Sequence, residues 1–148
     1  MLNMVAHGTI ERHPHSRWTV PDCGSFLPEA AHRMAGISRA LVPAGMMEDA
    51  DVLGCLRSLC YDVAGDAEPV MLDALLRIAD LTHLLHGSDW PQAPAPLAKA
   101  KLGALLGGPH GQMLGDLFWK NVASIYGLEG CGESVRMAEV HARWPCPA

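Results

Sequence analysis

The spacing of apolar positions divides the chain into helical and extended segments. Apolar residues three and four positions apart indicate amphipathic helices, whereas short apolar runs between turn residues indicate buried strands. Prolines and glycines separate the segments, as at Pro14 and Gly65. The pattern predicts helices over about 2–12, 27–40, 48–56, 67–79, 97–106 and 112–126, and strands over 18–20, 59–64 and 83–86.

The strands alternate with helices, which is typical of an α/β fold with a parallel sheet. Asp22, Asp62 and Asp89 each end or closely follow a predicted strand. In parallel α/β folds the chemistry lies at the carboxyl ends of the strands. We therefore expect the three carboxylates to converge on one rim of the sheet.

The composition suits one compact domain of modest charge. The chain has 148 residues, of which 49% are apolar and 18% are charged, and its formal net charge is -5. Proteins that bind nucleic acids or anionic membranes are normally basic, so neither partner is expected. We expect a domain over 1–128 and a loosely structured tail over 129–148, where the apolar pattern weakens.

The sequence carries no signal that directs it to a membrane or out of the cell. No apolar run reaches the roughly 20 residues of a transmembrane helix. The first residues lack the basic and apolar regions of a signal peptide. A cytoplasmic protein is therefore expected.

The cysteines favour reduced thiols over disulfides. There are five of them, an odd number, and no pair has the CxxC spacing of a structural zinc site. We expect free and mostly buried thiols at Cys23, Cys55, Cys60, Cys131 and Cys146.

One segment at the end of the third predicted strand points to a family. Residues 84–91, Leu-Leu-His-Gly-Ser-Asp-Trp-Pro, resemble the last-strand signature of the amidohydrolase-related family, an apolar strand ending in Gly-Ser-Asp-(Trp/Tyr)-Pro. Residues 59–65 resemble the strand before it, and 119–127 resemble the closing helix. Upstream, 10–14 resemble a helix end of that family, and 22–28 resemble its His-x-Gly-Gly-x-x-Pro turn.

The resemblance implies a particular part of a known fold. The family fold is a complete (β/α)₈ barrel of the TIM type, generally around 250 residues long. This chain would correspond to about the last three βα units of that barrel together with the carboxyl-terminal helices. The expected fold class is therefore α/β, a partial (β/α)₈ barrel.

The resemblance also implies a divalent metal, most commonly zinc, held by three or four protein ligands. Asp89 matches the family's metal-binding and catalytic aspartate on the last strand, and Trp90 would line the substrate rim. The family's other ligands, a His-x-His and a further His on earlier strands, have no counterpart here. From spacing alone, Asp89 could instead cap the turn before the next helix, and Trp90 could simply pack.

Asp22 departs from the family pattern, because it stands where the family has a histidine. A carboxylate can accept a proton, although it lacks the near-neutral pKa of imidazole, so Asp22 is a candidate catalytic residue. The alternative is a helix N-cap for the segment that begins near Phe26. Asp62 is expected to form strand-end hydrogen bonds, and His86 is expected to lie in the core.

The chain does contain a His-x-His sequence, at His13-Pro14-His15. It follows a predicted helix and precedes a strand, whereas the family's metal pair ends a strand. We therefore do not assign His13 and His15 to the metal site.

Two functions from different classes are consistent with this sequence. The first is a metal-dependent hydrolase or decarboxylase acting on a small carboxylic or cyclic substrate, with an incomplete metal site in this chain. The alternative is a non-catalytic truncated relative or an accessory subunit. Because a sheet of three parallel strands has two open edges, we expect a homo-oligomer or a complementing chain.

Overall fold

A computed structural model of the protein describes residues 1–64 and 69–128. The expected tail over 129–148, with Cys131 and Cys146, lies outside the described residues.

The centre of the fold is a parallel sheet of three short strands, β1 (Thr19–Val20), β2 (Cys60–Asp62) and β3 (Leu84–Leu85). They lie side by side in the order β1-β2-β3, with both pairs parallel. This confirms the predicted sheet.

Seven helices accompany the sheet in the described part of the chain, and they alternate with the strands as predicted. Single 3₁₀ turns over Asp22–Gly24 and Leu81–His83 follow β1 and precede β3. The helices are α1 (Leu2–Ala6), α2 (Thr9–Arg12), α3 (Leu27–Leu41), α4 (Val52–Arg57), α5 (Pro69–Leu75), α6 (Ala95–Gly107) and α7 (Gly111–Tyr126).

The predicted first helix over 2–12 was wrong in one respect, because it is broken into α1 and α2. The break falls at Gly8, which has a left-handed backbone with φ 58°. A Cβ at this position would lie 2.3 Å from Glu48 Oε2. The glycine therefore permits both the turn and the close approach of Glu48, whose carboxylate pairs with Arg12 at 3.1 Å.

The helix predicted over 48–56 begins later, at Val52, because Asp51 is its N-cap. The Asp51 carboxylate accepts a hydrogen bond from the Gly54 backbone N–H at 3.0 Å. At the end of α7, by contrast, Gly127 has φ 67° and caps the helix as predicted.

The core lies between the sheet and the helices. Two polar side chains in it donate hydrogen bonds to backbone carbonyls, whereas the buried Trp18 Nε1 has no partner among the described residues. The Tyr61 hydroxyl donates to the Leu56 carbonyl at 2.7 Å, and Asn121 Nδ2 donates to the carbonyls of Leu81 and Leu84 at 2.7 and 2.8 Å. The two hydrogen bonds of Asn121 connect α7 to the start of β3. The largest fully buried side chains include Tyr61, Leu56, Leu59, Leu72, Leu75, Leu84 and Leu114.

Several large apolar side chains are left open to solvent. Phe26 is 86% exposed and Trp90 is 62% exposed, and both follow the carboxyl ends of strands. In the described part of the chain, β1 and β3 each pair with β2 and with no further strand. None of the described helices is long and apolar enough to cross a membrane.

Candidate functional site at the carboxyl ends of the strands

The loops that follow the three strands meet at one edge of the sheet, and Asp62 joins them. Its Oδ1 accepts hydrogen bonds from the backbone N–H groups of Asp22 at 3.2 Å and of Ala64 at 3.1 Å. A Cβ placed on Gly87 would lie 2.8 Å from the same oxygen. Asp62 therefore contacts the chain after β1 and after β3, as a strand-end hydrogen-bonding residue should.

The backbone at this rim is strained. Asp22, Cys23 and Ser25 have φ of 54°, 51° and 50°, and Asp89 has φ 58°. Among the described residues these four are the non-glycine positions with positive φ. Such conformations cost of order 1–3 kcal/mol each, and they cluster where function requires a particular geometry. The strain therefore marks the ends of β1 and β3 as candidate functional loops.

Cys23 is buried beside the rim carboxylates, and the sequence did not single it out. Burial, together with the smaller effect of the negative charges of Asp62 and Asp22, raises the pKa of its thiol to about 11. The thiol is therefore protonated at neutral pH and is not a nucleophile. Cys55 and Cys60 are also free and buried, which confirms the expected reduced thiols for the described cysteines.

Asp22 is exposed at the rim, and its interpretation as a helix cap was wrong. The N-cap of α3 is Phe26, and no side chain caps this helix end. The left-handed turn over Asp22–Gly24 separates the carboxylate from the helix and leaves it facing solvent. The catalytic role of Asp22 stays a prediction.

Asp89 is also exposed and stands on strained backbone directly after β3. Its carbonyl accepts a hydrogen bond from the Ala93 backbone N–H at 2.7 Å. Its carboxylate makes no hydrogen bond to any described residue. It does not cap the next helix either, because the N-cap of α6 is Pro94. The carboxylate is thus unused by the local turn, which leaves it open to bind a ligand.

The expectation that His86 lies in the core was wrong. The residue is exposed, although its ring lies against that of Phe118, with centroids 5.7 Å apart. Partial burial lowers the pKa of His86, and the charge of Asp62 opposes this effect. The side chain therefore stays a neutral hydrogen-bonding group at neutral pH.

The rim carboxylates do not form a complete metal site by themselves. Residues 1–64 and 69–128 contain no group of three or more His, Cys, Asp or Glu side chains that could hold a metal ion. His13 and His15 precede β1, whereas Asp22 follows it, so the histidines lie at the other end of the strand.

The chain matches no known protein-family profile. It is 33% identical over 97 residues to a 6-methylsalicylic acid decarboxylase of Aspergillus aculeatus, a match that covers 63% of this chain and 29% of the relative. The chain thus spans less than a third of that relative's length.

The fold agrees with this match. A solved amidohydrolase II superposes with a TM-score of 0.72 and 26% identity, over 83% of this chain and 39% of its own length. The chain is therefore similar to one part of the proteins of the amidohydrolase-related family. A dihydroxybenzoic acid decarboxylase from Polaromonas, solved with bound manganese, shares the fold with a TM-score of 0.61 and 13% identity, over 86% of this chain and 39% of its own length.

These comparisons confirm the family resemblance and the fold class predicted from the sequence. The three parallel strands and their helices form part of a TIM-type barrel, and the matched relative is a decarboxylase. The rim at the carboxyl ends of the strands is the place where such barrels carry their active sites.

Proposed function

We propose that this chain supplies the carboxyl-terminal strands of a metal-dependent decarboxylase that acts on a small aromatic acid. The observation that carries the proposal is the similarity to a 6-methylsalicylic acid decarboxylase, combined with the exposed and unused carboxylate of Asp89 on strained backbone after β3. The decarboxylase name of this relative favours decarboxylation over hydrolysis.

Asp89 is proposed to contribute one ligand to a divalent metal. A catalytic metal needs three or more protein ligands, and the described residues offer this one at the rim together with Asp22. The described residues therefore do not fit a metal without further ligands, and no step of the reaction follows from Asp89 alone. The sequence resemblance favours zinc, whereas the manganese-bound decarboxylase of similar fold favours manganese for the test.

Asp22 and Trp90 complete the proposed rim. The exposed carboxylate of Asp22 lies where a group could exchange a proton with a bound substrate, and Asp62 holds its backbone in place. Trp90 is 62% exposed and follows Asp89, so its ring is free to contact an aromatic ligand.

The missing ligands are proposed to come from strands outside this chain's three. The open edges of β1 and β3 and the exposed ring of Phe26 indicate a surface that associates with a complementing chain or a second copy. We expect a concentration-dependent rise in mass in light scattering, and a stable monomer at every concentration would contradict this part of the proposal.

The test is to reconstitute a complex from this chain and the amino-terminal part of a relative. The chain is co-expressed with the amino-terminal part of the Aspergillus aculeatus decarboxylase, and release of CO₂ from 6-methylsalicylic acid is measured with added zinc or manganese. Metal content is counted by elemental analysis. We expect about one metal ion per complex.

Asp89→Asn should abolish both metal content and CO₂ release, and Asp116→Asn, an exposed carboxylate on α7, should change neither. A complex that assembles but holds no metal and releases no CO₂ would overturn the proposal. It would favour the alternative, a non-catalytic relative or accessory subunit, which is consistent with the aspartate at position 22.

A further inference from the structure

A cavity of about 620 Å³ lies at the amino ends of the strands, opposite the proposed rim. It is lined by α2, the loop over 13–18, α4 and the residues that lead into β2 and β3. Trp18 precedes β1, Ser58 precedes β2 and His83 precedes β3, whereas the rim carboxylates end or follow these strands. We name it the amino-end cavity, and no residue of the proposed rim lines it.

The size and the apolar part of the amino-end cavity suit a single small molecule. Ile10, Pro14 and Trp18 supply apolar surface to it. Small-molecule sites in proteins have volumes of roughly 300–1,000 Å³ and combine such surface with a few polar groups that orient the ligand. The polar groups of the cavity therefore decide which class of ligand it takes.

The loop before β1 presents polar side chains that the fold itself does not use. His13, His15, Ser16 and Arg17 line the cavity and are exposed, and their side chains make no hydrogen bond to a described residue. Burial raises the pKa of the Cys60 thiol in the cavity wall, and the positive charge of Arg17 opposes this rise. A guanidinium beside imidazole and hydroxyl groups suits phosphate, which offers several acceptor oxygens to one fork of N–H donors.

One carboxylate in the cavity restricts what the ligand can be. Glu11 Oε1 accepts a hydrogen bond from the Cys55 thiol. Burial and, to a smaller extent, this hydrogen bond raise the pKa of Cys55 to about 12, so the thiol stays protonated and continues to donate. Glu11 Oε2 accepts no hydrogen bond from a described residue and can accept one from a ligand hydroxyl. Because Glu11 repels a second anion, the ligand must carry its charge toward Arg17.

The His83 ring offers a further acceptor. Its Nδ1 lies 3.3 Å from the Arg57 carbonyl, and because a carbonyl only accepts, this nitrogen carries the proton. In the neutral ring Nε2 is then an acceptor, as Glu11 Oε2 is. Both groups suit hydroxyl donors on the ligand.

We propose that the amino-end cavity binds a sugar phosphate, with its phosphate at the loop over 13–17 and its hydroxyl groups at Glu11 and His83. A sugar phosphate combines one strongly anionic group with several hydroxyl donors, and Trp18 would cover its C–H surface. Barrels of this type carry their active sites at the carboxyl ends of the strands, so a ligand at the amino ends would be separate from the proposed decarboxylase chemistry.

The test is a titration of the full chain with ribose 5-phosphate, followed by isothermal calorimetry and by NMR. EDTA is present, so a metal ion at the rim cannot contribute to the signal. We expect saturable binding, with shifts at His15 and at the Trp18 indole and none at Trp90. Ribose alone and inorganic phosphate alone should each bind about tenfold more weakly, because each lacks part of the hydrogen bonds to charged groups.

Variants locate the binding. Arg17→Gln should weaken binding of ribose 5-phosphate about tenfold, whereas Arg39→Gln, at an exposed arginine on α3 outside the cavity, should leave it unchanged. Glu11→Gln should weaken binding of ribose 5-phosphate without weakening that of inorganic phosphate, because only the sugar hydroxyls use this carboxylate. If circular dichroism shows that Glu11→Gln is unfolded, His83→Phe tests the hydroxyl contacts in its place.

Three results would overturn the proposal. These are no saturable binding of ribose 5-phosphate by the wild-type chain, equally tight binding of inorganic phosphate, or equal losses in Arg17→Gln and Arg39→Gln. Failure here would leave the metal and CO₂ measurements on the reconstituted complex unaffected, because those report on the rim.

Discussion

The core between the sheet and the helices, here called the helix side, differs from the rim at the carboxyl ends of the strands in how its polar groups are used. On the helix side, Asn121 donates two hydrogen bonds to backbone carbonyls and the Tyr61 hydroxyl donates one, all at 2.7–2.8 Å. At the rim, Asp22 and Asp89 present exposed carboxylates on left-handed backbone. The helix side holds buried hydrogen bonds that contribute stability, and the rim holds strained backbone that costs stability.

The difference predicts which substitutions should lower the stability of the chain and which should raise it. Strained backbone persists only where the surrounding structure holds it in place, and relief of strain at such sites commonly raises stability and lowers activity. The satisfied helix side provides the rigid support that the strained rim requires. Variants on the helix side should therefore destabilise the chain, and some variants at the rim should stabilise it.

The largest effect is expected from Leu84→Ala. Leu84 is fully buried in β3. Removing its side chain leaves a cavity and should lower the free energy of unfolding by about 2–5 kcal/mol in urea denaturation. Leu97→Ala, at a leucine that is 46% exposed on α6, is the matched control and should have a far smaller effect. Equal losses in the two variants would contradict the assigned core.

A pH-dependent loss of stability is expected from Cys23. Its pKa in the folded chain is raised from 9.0 to about 11, so the folded state favours the protonated thiol. This contribution is complete below pH 9.0 and is lost as the pH rises through about 11. The difference in pKa corresponds to about 3 kcal/mol.

Urea denaturation across this alkaline range measures the effect. In Cys23→Ala, the free energy of unfolding should fall less steeply with rising pH than in the wild type. Burial raises the pKa of Cys55 to about 12, so this thiol should account for another part of the fall. If the free energy of unfolding falls equally with pH in the wild type and in Cys23→Ala, the fold does not hold the Cys23 thiol in its protonated form.

Asn121→Ala tests the polar connection between α7 and β3. The substitution leaves the carbonyls of Leu81 and Leu84 without their side-chain donor and should cost about 1–3 kcal/mol in the same assay. Ser124→Ala, at an exposed position of α7, should be close to neutral. If both variants had the same free energy of unfolding, the hydrogen bonds of Asn121 would contribute no stability, and apolar packing would account for it.

The smallest effect, and the one of opposite sign, is expected from Ser25→Gly. Ser25 is exposed with φ 50°, which glycine adopts without strain. The variant should raise the free energy of unfolding by about 1 kcal/mol. Ser38→Gly, in the last turn of α3, should lower it by up to about 1 kcal/mol. If Ser25→Gly lowered the free energy of unfolding, the positive φ of Ser25 would not be a source of strain, and the rim would not differ from the core in this respect.

Local patterns in the sequence determined much of the fold. Helical spacing of apolar residues predicted the extents of α3, α6 and α7 to within about two residues. In α3 and α7 the spacing reflects a buried face, whereas α6 has no buried residue. Alternation of strands and helices predicted the parallel sheet, and Gly127 marked the end of α7 because glycine readily adopts the left-handed cap. The Gly-Ser-Asp-Trp-Pro segment identified the family that the comparisons confirm.

The candidate site was predictable only in part. The order of strands and carboxylates predicted the shared rim, because parallel strands end at the same edge. The left-handed run through Asp22, Cys23 and Ser25 was not predictable, since non-glycine residues adopt it only when contacts from elsewhere hold them there. The assignments of Asp89 to a metal and of Trp90 to a substrate stay predictions.

Tertiary structure alone decided which groups meet. Asp62 reaches the backbone of Asp22 across 40 positions of sequence, and Asn121 reaches Leu81 across the same separation. His86 lies against Phe118 and is exposed instead of lying in the core. Local spacing specifies which face of an element is apolar, but the partner that covers this face, and the cavities left between elements, depend on contacts between distant parts of the chain.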